Sequence, residues 1–263
     1  MRFCLKENSI FYHPRDREIE FFERAYKLSW PLLLKGPTGC GKSRFVQYMA
    51  AKVDRPLIEV ACHEETSAVD LVGRFVLKGG ETVWQDGPLV KAMRDGAILY
   101  LDEVAEARED IIVALHPVLD HRRTLFIDKT GETLRASPGF MVVASYNPHY
   151  QSHLKELKPS TKQRFMALSF LYPEEADEIA IVQKESGLEK DMVEKLVRFS
   201  AKIRNLDHLD LRETVSTRLI IAAAALIKEG APKRASVDCG IIQALTDEPE
   251  TVEALREAAA LYF

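Results

Sequence analysis

The chain has 263 residues, of which 46% are hydrophobic and 29% are charged, and its formal net charge is −4. This is the composition of an ordinary globular protein, with room for one large core and a smaller companion domain. The mildly acidic balance gives no electrostatic support for nucleic acid as a main partner. The longest apolar run, residues 219–227, is too short to span a bilayer, so membrane insertion is not expected.

The start of the chain, MRFCLKE, becomes charged before an apolar signal segment can form. The four cysteines form no C-x-x-C pair, and one of them, Cys40, lies inside a glycine-rich loop. Together these features predict a cytoplasmic protein whose thiols are reduced.

The first 30 residues read as a lead-in with one amphipathic helix, which carries Phe21, Phe22, Ala25 and Tyr26. From residue 31 to about 170, short apolar strands alternate with helical segments, which indicates a parallel sheet covered by helices. The runs are aliphatic or β-branched, as is typical of strands buried on both faces. The strands are predicted at residues 32–35, 57–60, 97–101, 140–145 and 167–171.

Two segments within this alternation read as inserted hairpins. The first, at about residues 74–85, turns at Gly79-Gly80 and carries Trp84, which is expected to project from it. The second, at about residues 122–136, turns over the sequence DKTG. Each hairpin is either an ordinary edge of the fold or a protruding functional element.

After Tyr172-Pro173 only helical periodicity remains. Proline followed by two glutamates fits a helix start, because acidic side chains are favourable at the positive end of the helix dipole. The sequence therefore predicts two domains, an α/β core over residues 1–171 and an all-helical domain over residues 172–263. The helices of the second domain are predicted at residues 176–185, 192–205, 215–229, 235–244 and 251–261.

The sequence GPTGCGKS at residues 36–43 fits the phosphate-loop pattern G-x-x-x-x-G-K-[ST] at every required position. It follows an apolar run and opens a helix predicted at residues 42–53, which is the setting that the motif needs. Lys42 is expected to reach the β- and γ-phosphates of ATP, and the Ser43 hydroxyl to ligate Mg²⁺. The residues expected to enclose the phosphates are Gly36, Pro37, Thr38, Gly39, Cys40 and Gly41.

Two adjacent carboxylates follow the apolar run at residues 97–101. Asp102 is predicted to hold a water molecule on Mg²⁺, and Glu103 to act as general base for the attacking water. Asn147 follows the next predicted strand, which Pro148 stops. Its neutral amide is expected to hydrogen-bond the γ-phosphate and the water.

Two arginines could supply positive charge beyond Lys42, which accelerates hydrolysis at the γ-phosphate. Arg164 stands before the last predicted strand, after a polar loop at residues 158–163, and Arg218 opens an apolar helix. The alternative for each is an ordinary surface arginine. His149 and His153 could share one helix face, but no ligand-rich segment is near them, so surface histidines are favoured over a metal site.

This order of motifs resembles that of AAA+ ATPases, and within them the MoxR branch and its CbbQ/NorQ proteins. The resemblance covers nearly the whole chain. The closer likeness is carried by ACHEET at residues 61–66, DLVGR at 70–74, WQDGPL at 84–89 and ASYNP at 144–148.

The resemblance implies an αβα sandwich with a parallel sheet, followed by a small helical lid. The two hairpins would be the insertions of this branch, one in the second helix and one before the sensor strand. It also implies a homo-hexameric ring, in which Arg164 enters the neighbouring subunit's site while Asn147 and Arg218 act as sensors. Arg122 and Arg135 remain alternatives for the arginine that acts in the neighbouring site.

The resemblance further implies two partners, an adaptor with a von Willebrand factor A domain of the CbbO/NorD kind and a target metalloenzyme. For CbbQ proteins the target is inhibited Rubisco, from which tight-bound sugar phosphates are released. For NorQ proteins it is nitric oxide reductase, which is aided in maturation. Rubisco is favoured here on overall resemblance, with nitric oxide reductase as the alternative.

Three other function classes fit this sequence less well than an ATP-driven motor. A small-molecule kinase usually inserts its lid within the sheet domain, whereas here the helical segment follows that domain. A GTPase would carry N-K-x-D after a strand and D-x-x-G at the end of the strand that carries Asp102; the first motif does not occur, and the second does not occur at Asp102. A scaffold locked by nucleotide would not depend on Arg164 for its function.

Overall fold

The computed structural model describes residues 10–148, 157–205 and 214–263. These residues form two compact units. The first contains the described residues up to Gly36 together with Lys42–Phe170, and the second contains Pro37–Gly41 together with Leu171–Phe263. Part of the glycine-rich loop is therefore grouped with the helical C-terminal segment.

A five-stranded parallel sheet organises the first unit. The strands among the described residues are β1 (Leu32–Lys35), β2 (Leu57–Ala61), β3 (Gly73–Lys78), β4 (Glu81–Asp86), β5 (Ile98–Asp102), β6 (Thr124–Ile127), β7 (Glu132–Arg135), β8 (Met141–Tyr146) and β9 (Met166–Ser169). The sheet has the order β2-β5-β8-β1-β9, and its central strands are buried because helices cover both faces. All five strands predicted for this sheet are confirmed, with ends that differ by one or two residues.

Both predicted hairpins form, as the antiparallel pairs β3–β4 and β6–β7. The prediction that Trp84 projects from the first hairpin is wrong. Its ring lies edge-on to Phe75, with centroids 5.3 Å apart, and packs against the core of the first unit. The indole Nε1 donates to Asp86 Oδ1 at 2.7 Å, which satisfies its one polar group and allows the ring to be covered.

The helices of the first unit also contribute side chains to its core. They are α1 (Glu18–Leu28), α2 (Lys42–Lys52), α3 (Ala68–Val72), α4 (Pro88–Asp95), α5 (Glu109–Leu119) and α6 (Pro159–Lys162). The predicted lead-in helix is confirmed as α1, which buries Phe22 and Ala25. Residues 158–163 were predicted as a polar loop and instead contain α6, because Pro159 has the backbone angle of a first helical turn and Thr161 is buried.

In the second unit, the regular elements of residues 172–205 and 214–263 are all helices. They are α7 (Glu175–Ser186), α8 (Lys190–Arg204), α9 (Thr217–Lys228), α10 (Lys233–Gly240) and α11 (Pro249–Ala259). These five confirm the predicted helices, and their apolar faces share one core that includes Val182, Phe199, Ile220 and Leu255. Across the three described ranges, no helix combines the length and apolar character needed to cross a membrane.

A buried ion pair ties three helices of the second unit together. Glu178 on α7 is 1% exposed and accepts two hydrogen bonds of 2.8 Å from the Arg204 guanidinium on α8. Glu178 also accepts a hydrogen bond of 2.6 Å from Thr217, the first residue of α9. Arg204 in turn donates to Val215 O and lies over the Tyr172 ring, 4.3 Å from its centroid. The pair is thereby bonded to Val215 and Thr217, which lie at the start of α9.

Replacing Arg204 by methionine is expected to lower the free energy of unfolding by about 3–5 kcal/mol, because it leaves the buried Glu178 carboxylate without its counter-charge. The double variant Arg204→Met/Glu178→Met is expected to recover much of this loss. Arg198→Met is the matched control: Arg198 also pairs with a glutamate, at 3.1 Å, but both side chains are exposed. The control is expected to lose less than about 1 kcal/mol. Urea unfolding followed by circular dichroism measures these differences, and equal losses in the two single variants would contradict the expectation.

Candidate functional site

The parallel sheet brings the ends of three neighbouring strands to one edge. β5 pairs with β8, and β8 pairs with β1, each in parallel register. Asp102 is the last residue of β5, Asn147 follows β8, and Gly36 follows β1. Polar groups at the carboxyl ends of adjacent parallel strands form the usual ligand site of such sheets.

Ser43 and Asp102 are in direct contact at this edge. The Ser43 hydroxyl, in the first turn of α2, donates to Asp102 Oδ2 at 3.2 Å. The other carboxylate oxygen, Oδ1, accepts hydrogen bonds from the hydroxyl of Tyr100 at 2.7 Å and from that of Ser145. A hydroxyl beside a carboxylate is an oxygen donor set of the kind that Mg²⁺ prefers.

Sequence reasoning did not single out Tyr100 and Ser145. The signal was present, since residues two apart on a strand share a face, and Tyr100 is two residues before Asp102. Burial and the nearby Asp102 charge both raise the pKa of the Tyr100 hydroxyl, so it stays protonated and remains a donor at neutral pH. The same two causes, with Glu103 added, raise the pKa of the neighbouring Cys62 thiol to about 12, which keeps that thiol neutral.

Glu103 has an unusual backbone conformation. Its φ and ψ are 54° and 46°, in the left-handed region, which costs a residue other than glycine about 1–2 kcal/mol. Its backbone N–H donates to Ser145 Oγ at 3.3 Å. A strained residue held by its neighbours at the end of a strand is typical of functional sites.

Lys42 lies at the start of α2 and is 5% exposed. Its Nζ donates to the carbonyl oxygen of Gly36 at 2.7 Å. A side chain at position 36 would not fit, because its Cβ would lie 2.2 Å from the carbonyl oxygen of Phe170. Glycine therefore allows the chain to leave β1 and pass close to β9 before the helix begins.

The remaining loop residues are grouped with the second unit. The Tyr172 hydroxyl donates to the carbonyl oxygen of Thr38 at 3.1 Å. A Cβ at Gly39 would lie 2.6 Å from the Cβ of Ser216, the residue that caps α9, and 3.6 Å from the Cβ of Arg218. Arg218 is exposed, so the structure brings this predicted residue beside the loop with its charge accessible.

The loop backbone and its side chains fit a bound magnesium polyphosphate. Gly39 and Gly41 have φ values of 71° and 99°, on either side of the buried Cys40. Positive φ values of this kind are typical of loops whose backbone N–H groups bind anions. Lys42 adds a cation next to the helix N-terminus, and the Ser43–Asp102 contact adds oxygen donors for Mg²⁺.

Arg164 lies near the amino-terminal ends of the strands, whereas these groups lie at the carboxyl ends. β9 pairs in parallel with β1, with Met166 opposite Leu32, so Arg164 is near the level at which β1 begins. The loop that starts at Gly36 is about 20 Å further along the strand direction, at ~3.3 Å per residue. The Arg164 side chain is exposed and donates to the carbonyl oxygen of Ser160. The structure therefore does not bring Arg164 to the other predicted site residues of its own chain.

The two alternative arginines differ in their surroundings. Arg122 is held in an ion pair with Asp120 at 2.6 Å, whereas Arg135 lies exposed on β7. Asn147 is 7% exposed at the end of β8, next to the site. His149 and His153 lie outside the described residues. Within the described ranges, no group of three or more histidine, cysteine or acidic side chains could hold a metal ion.

This fold and this site define a P-loop ATPase of the AAA class, with the loop after β1 and an Asp-Glu pair at the end of β5. The family model AAA domain (dynein-related subfamily) matches residues 31–165, and the model CbbQ/NirQ/NorQ C-terminal matches residues 178–262. A solved structure from Cytophaga hutchinsonii, described as a candidate ATPase, aligns with a TM-score of 0.54. The alignment covers 98% of this chain and 92% of the solved chain. At 15% identity that likeness shows the fold alone.

The chain belongs to the CbbQ/NirQ/NorQ family of AAA ATPases. It is 56% identical to Protein NorQ of Paracoccus denitrificans, over 96% of this chain and 94% of the relative. It is 51% identical to Protein CbbQ of Hydrogenophilus thermoluteolus, over 98% and 97% of the two chains. It is 50% identical to the denitrification regulatory protein NirQ of Pseudomonas aeruginosa, over 98% and 99%. The predicted fold class and family are thus confirmed.

Replacing Gly39 by alanine is expected to weaken ATP binding by about tenfold or more, because both the positive φ and the overlap with Ser216 force the loop to move. Gly79→Ala is the matched control, since Gly79 has a similar φ of 62° but nothing within 4 Å of a Cβ. Fluorescence titration with a labelled adenine nucleotide measures both affinities. Equal affinity in the two variants would show that the close approach at Gly39 does not matter for binding.

Proposed function

We propose that this protein is an ATP-driven remodelling motor that acts on a target enzyme through an adaptor with a von Willebrand factor A domain. The observation that carries the proposal is the contact between Ser43 Oγ and Asp102 Oδ2, with Glu103 next in the chain. It joins a Mg²⁺ ligand pair to a carboxylate able to activate water, which is the combination that ATP hydrolysis needs. Membership of the CbbQ/NirQ/NorQ family supports this function.

In the proposed reaction ATP supplies the phosphoryl group and Mg²⁺ offsets the charge that develops on it. The Lys42 ammonium exchanges its hydrogen bond to Gly36 for the phosphates. Ser43 and Asp102 would hold the Mg²⁺ ion, Ser43 directly and Asp102 through water. Glu103 accepts the proton of the attacking water, which the Asn147 amide orients toward the γ-phosphate.

Glu103→Gln is expected to bind ATP with unchanged affinity and to hydrolyse it about 10²–10⁴-fold more slowly, because an amide cannot accept the proton. Glu109→Gln is the control, since Glu109 is exposed and its ion pair with Lys158 lies at the surface. Phosphate release measures turnover, and nucleotide titration measures affinity. Retention of full turnover by Glu103→Gln would remove Glu103 as the base.

The same assay separates a motor from a kinase built on this loop. A motor consumes ATP with water as the only acceptor, whereas a kinase needs an organic acceptor. Phosphate release from ATP and Mg²⁺ alone supports the motor, and strict dependence on an added acceptor would contradict it.

We further propose that the protein works as a homo-hexameric ring in the cytoplasm, in which residues 172–263 serve as the lid of the core formed by residues 1–171. Arg164 would then act in the site of the neighbouring subunit, with Arg218 as a sensor of nucleotide. Support comes from the distance of Arg164 from the loop of its own chain and from its exposure. Contact of Gly39 with Ser216, which caps the helix carrying Arg218, gives that sensor a direct route to the loop.

Arg164→Ala is expected to lower ATP turnover by about 10³–10⁵-fold without loss of nucleotide binding. Mixing Arg164→Ala subunits with Glu103→Gln subunits is expected to restore part of the activity, because some interfaces then contain an intact arginine and an intact glutamate. Arg135→Ala, mixed in the same way, is the control for the alternative arginine. Turnover that stays absent in the mixture would contradict action between subunits, and a large loss in Arg135→Ala would assign the role to Arg135.

Two targets are in question. Similarity to CbbQ, at 51% identity, supports inhibited Rubisco, with release of tight-bound sugar phosphates as the work done. Similarity to NorQ, at 56% identity, supports maturation of nitric oxide reductase as the alternative. Reconstitution with the adaptor and each target distinguishes them, with Glu103→Gln as the inactive control. ATP-dependent recovery of one target enzyme and not of the other identifies it.

A further inference from the structure

Asp102 is held by more hydroxyl groups than Mg²⁺ binding requires. Tyr100 and Ser145 both donate to Oδ1, while Ser43 donates to Oδ2. Each hydroxyl has a single hydrogen, and these three bonds use all three hydrogens. The arrangement therefore fixes the carboxylate in one rotation, with Oδ1 turned inward and Oδ2 directed toward the predicted metal ligand.

The two inner hydroxyls are completely enclosed. Tyr100 is 1% exposed and Ser145 is 0% exposed, and their oxygens lie 3.1 Å apart. A phenylalanine at position 100 would fill the same volume in this apolar strand, so packing alone does not account for the hydroxyl. Both hydroxyls are buried from solvent, and both donate to the same carboxylate oxygen, Asp102 Oδ1.

Ser145 has a second contact that reaches the neighbouring carboxylate residue. Its oxygen accepts the backbone N–H of Glu103 at 3.3 Å, where the chain takes its left-handed conformation. Ser145 lies on β8 and Glu103 directly follows β5, and these two strands are paired in the sheet. The Ser145 hydroxyl thus contacts both residues: it donates to the Asp102 carboxylate and accepts the backbone N–H of Glu103.

We infer that Tyr100 and Ser145 are positioning residues of the ATPase site, which orient Asp102 toward the metal and Glu103 toward the attacking water. This inference rests on the proposed roles of Asp102 and Glu103. Tyr100 acts on metal binding, because its hydroxyl contacts Asp102 Oδ1 at 2.7 Å and Ser43 Oγ at 3.2 Å, and both of these residues are assigned to the metal. Ser145 acts on metal binding and also on the rate at saturating metal. Removal of groups that orient a metal site typically costs about 10–100-fold in metal affinity.

The test is the affinity for Mn²⁺, measured by electron paramagnetic resonance in the presence of a non-hydrolysable ATP analogue. Tyr100→Phe and Ser145→Ala are each expected to weaken Mn²⁺ binding by roughly tenfold. Affinity for the analogue in EDTA is expected to stay unchanged, since neither residue is assigned a contact with the phosphates. Tyr48→Phe, which removes a tyrosine hydroxyl from α2, is the matched control and is expected to behave as the wild type.

A second measurement separates the two residues. At saturating Mg²⁺, Tyr100→Phe is expected to recover the wild-type kcat, whereas Ser145→Ala is expected to stay slow because Glu103 has lost its anchor. Metal affinities within about twofold of the wild type in both variants would overturn the inference. So would an equal loss of analogue affinity with and without metal, which would indicate a merely structural role.

The outcome for the wild type distinguishes this inference from the proposed function. If the wild type binds Mn²⁺ with the analogue no better than a Lys42→Ala variant, the proposed site is wrong and the inference is overturned with it. If the wild type binds the metal and both hydroxyl variants match it, only the positioning role is overturned.

Discussion

The parallel pairing of β5, β8 and β1 is the constraint on which the site depends. It sets Ser145 against the end of β5 and delivers the loop after β1 to the same edge, so that Ser43 meets Asp102. The hydrogen bonds between strands hold this alignment over several residues, and a slip of one residue would turn Ser145 to the other face. The register of the sheet therefore sets the positions of the two carboxylate residues, and hydrogen bonds from neighbouring side chains then orient Asp102.

In the second unit, a close backbone approach and a buried ion pair both fix the position of the start of α9. Gly39 allows the loop to meet Ser216 without a side chain between them, and Ser216 caps the helix on which Arg218 lies. The same helix start is fixed from the other side by Thr217, which donates to the buried Glu178 of the Arg204 ion pair. Such a pair is costly to bury and is satisfied only in one arrangement, which explains how it can define the position of a helix end.

Much of the fold was predictable because local patterns determined it. The strands of the sheet are continuous apolar runs, and the helices of the second unit have clear periodicity, so both were placed within a few residues. The predictions for Trp84 and for the segment at α6 were wrong for one reason: the burial of these residues depends on tertiary packing. The polar pattern of residues 158–163 does not indicate that Thr161 becomes buried. Likewise, the hairpin pattern does not indicate that the Trp84 indole donates to Asp86 and packs against the core.

The sequence by itself determined the phosphate loop, the Asp-Glu pair and the family, because these depend on residue types at fixed spacing along the chain. Only the tertiary structure decided which groups surround Asp102, and that Arg164 lies at the opposite end of the strands from the loop. The physical reason is that strand order and register are set by contacts between distant segments. The spacing of residues within one strand contains no information about which strand will lie beside it.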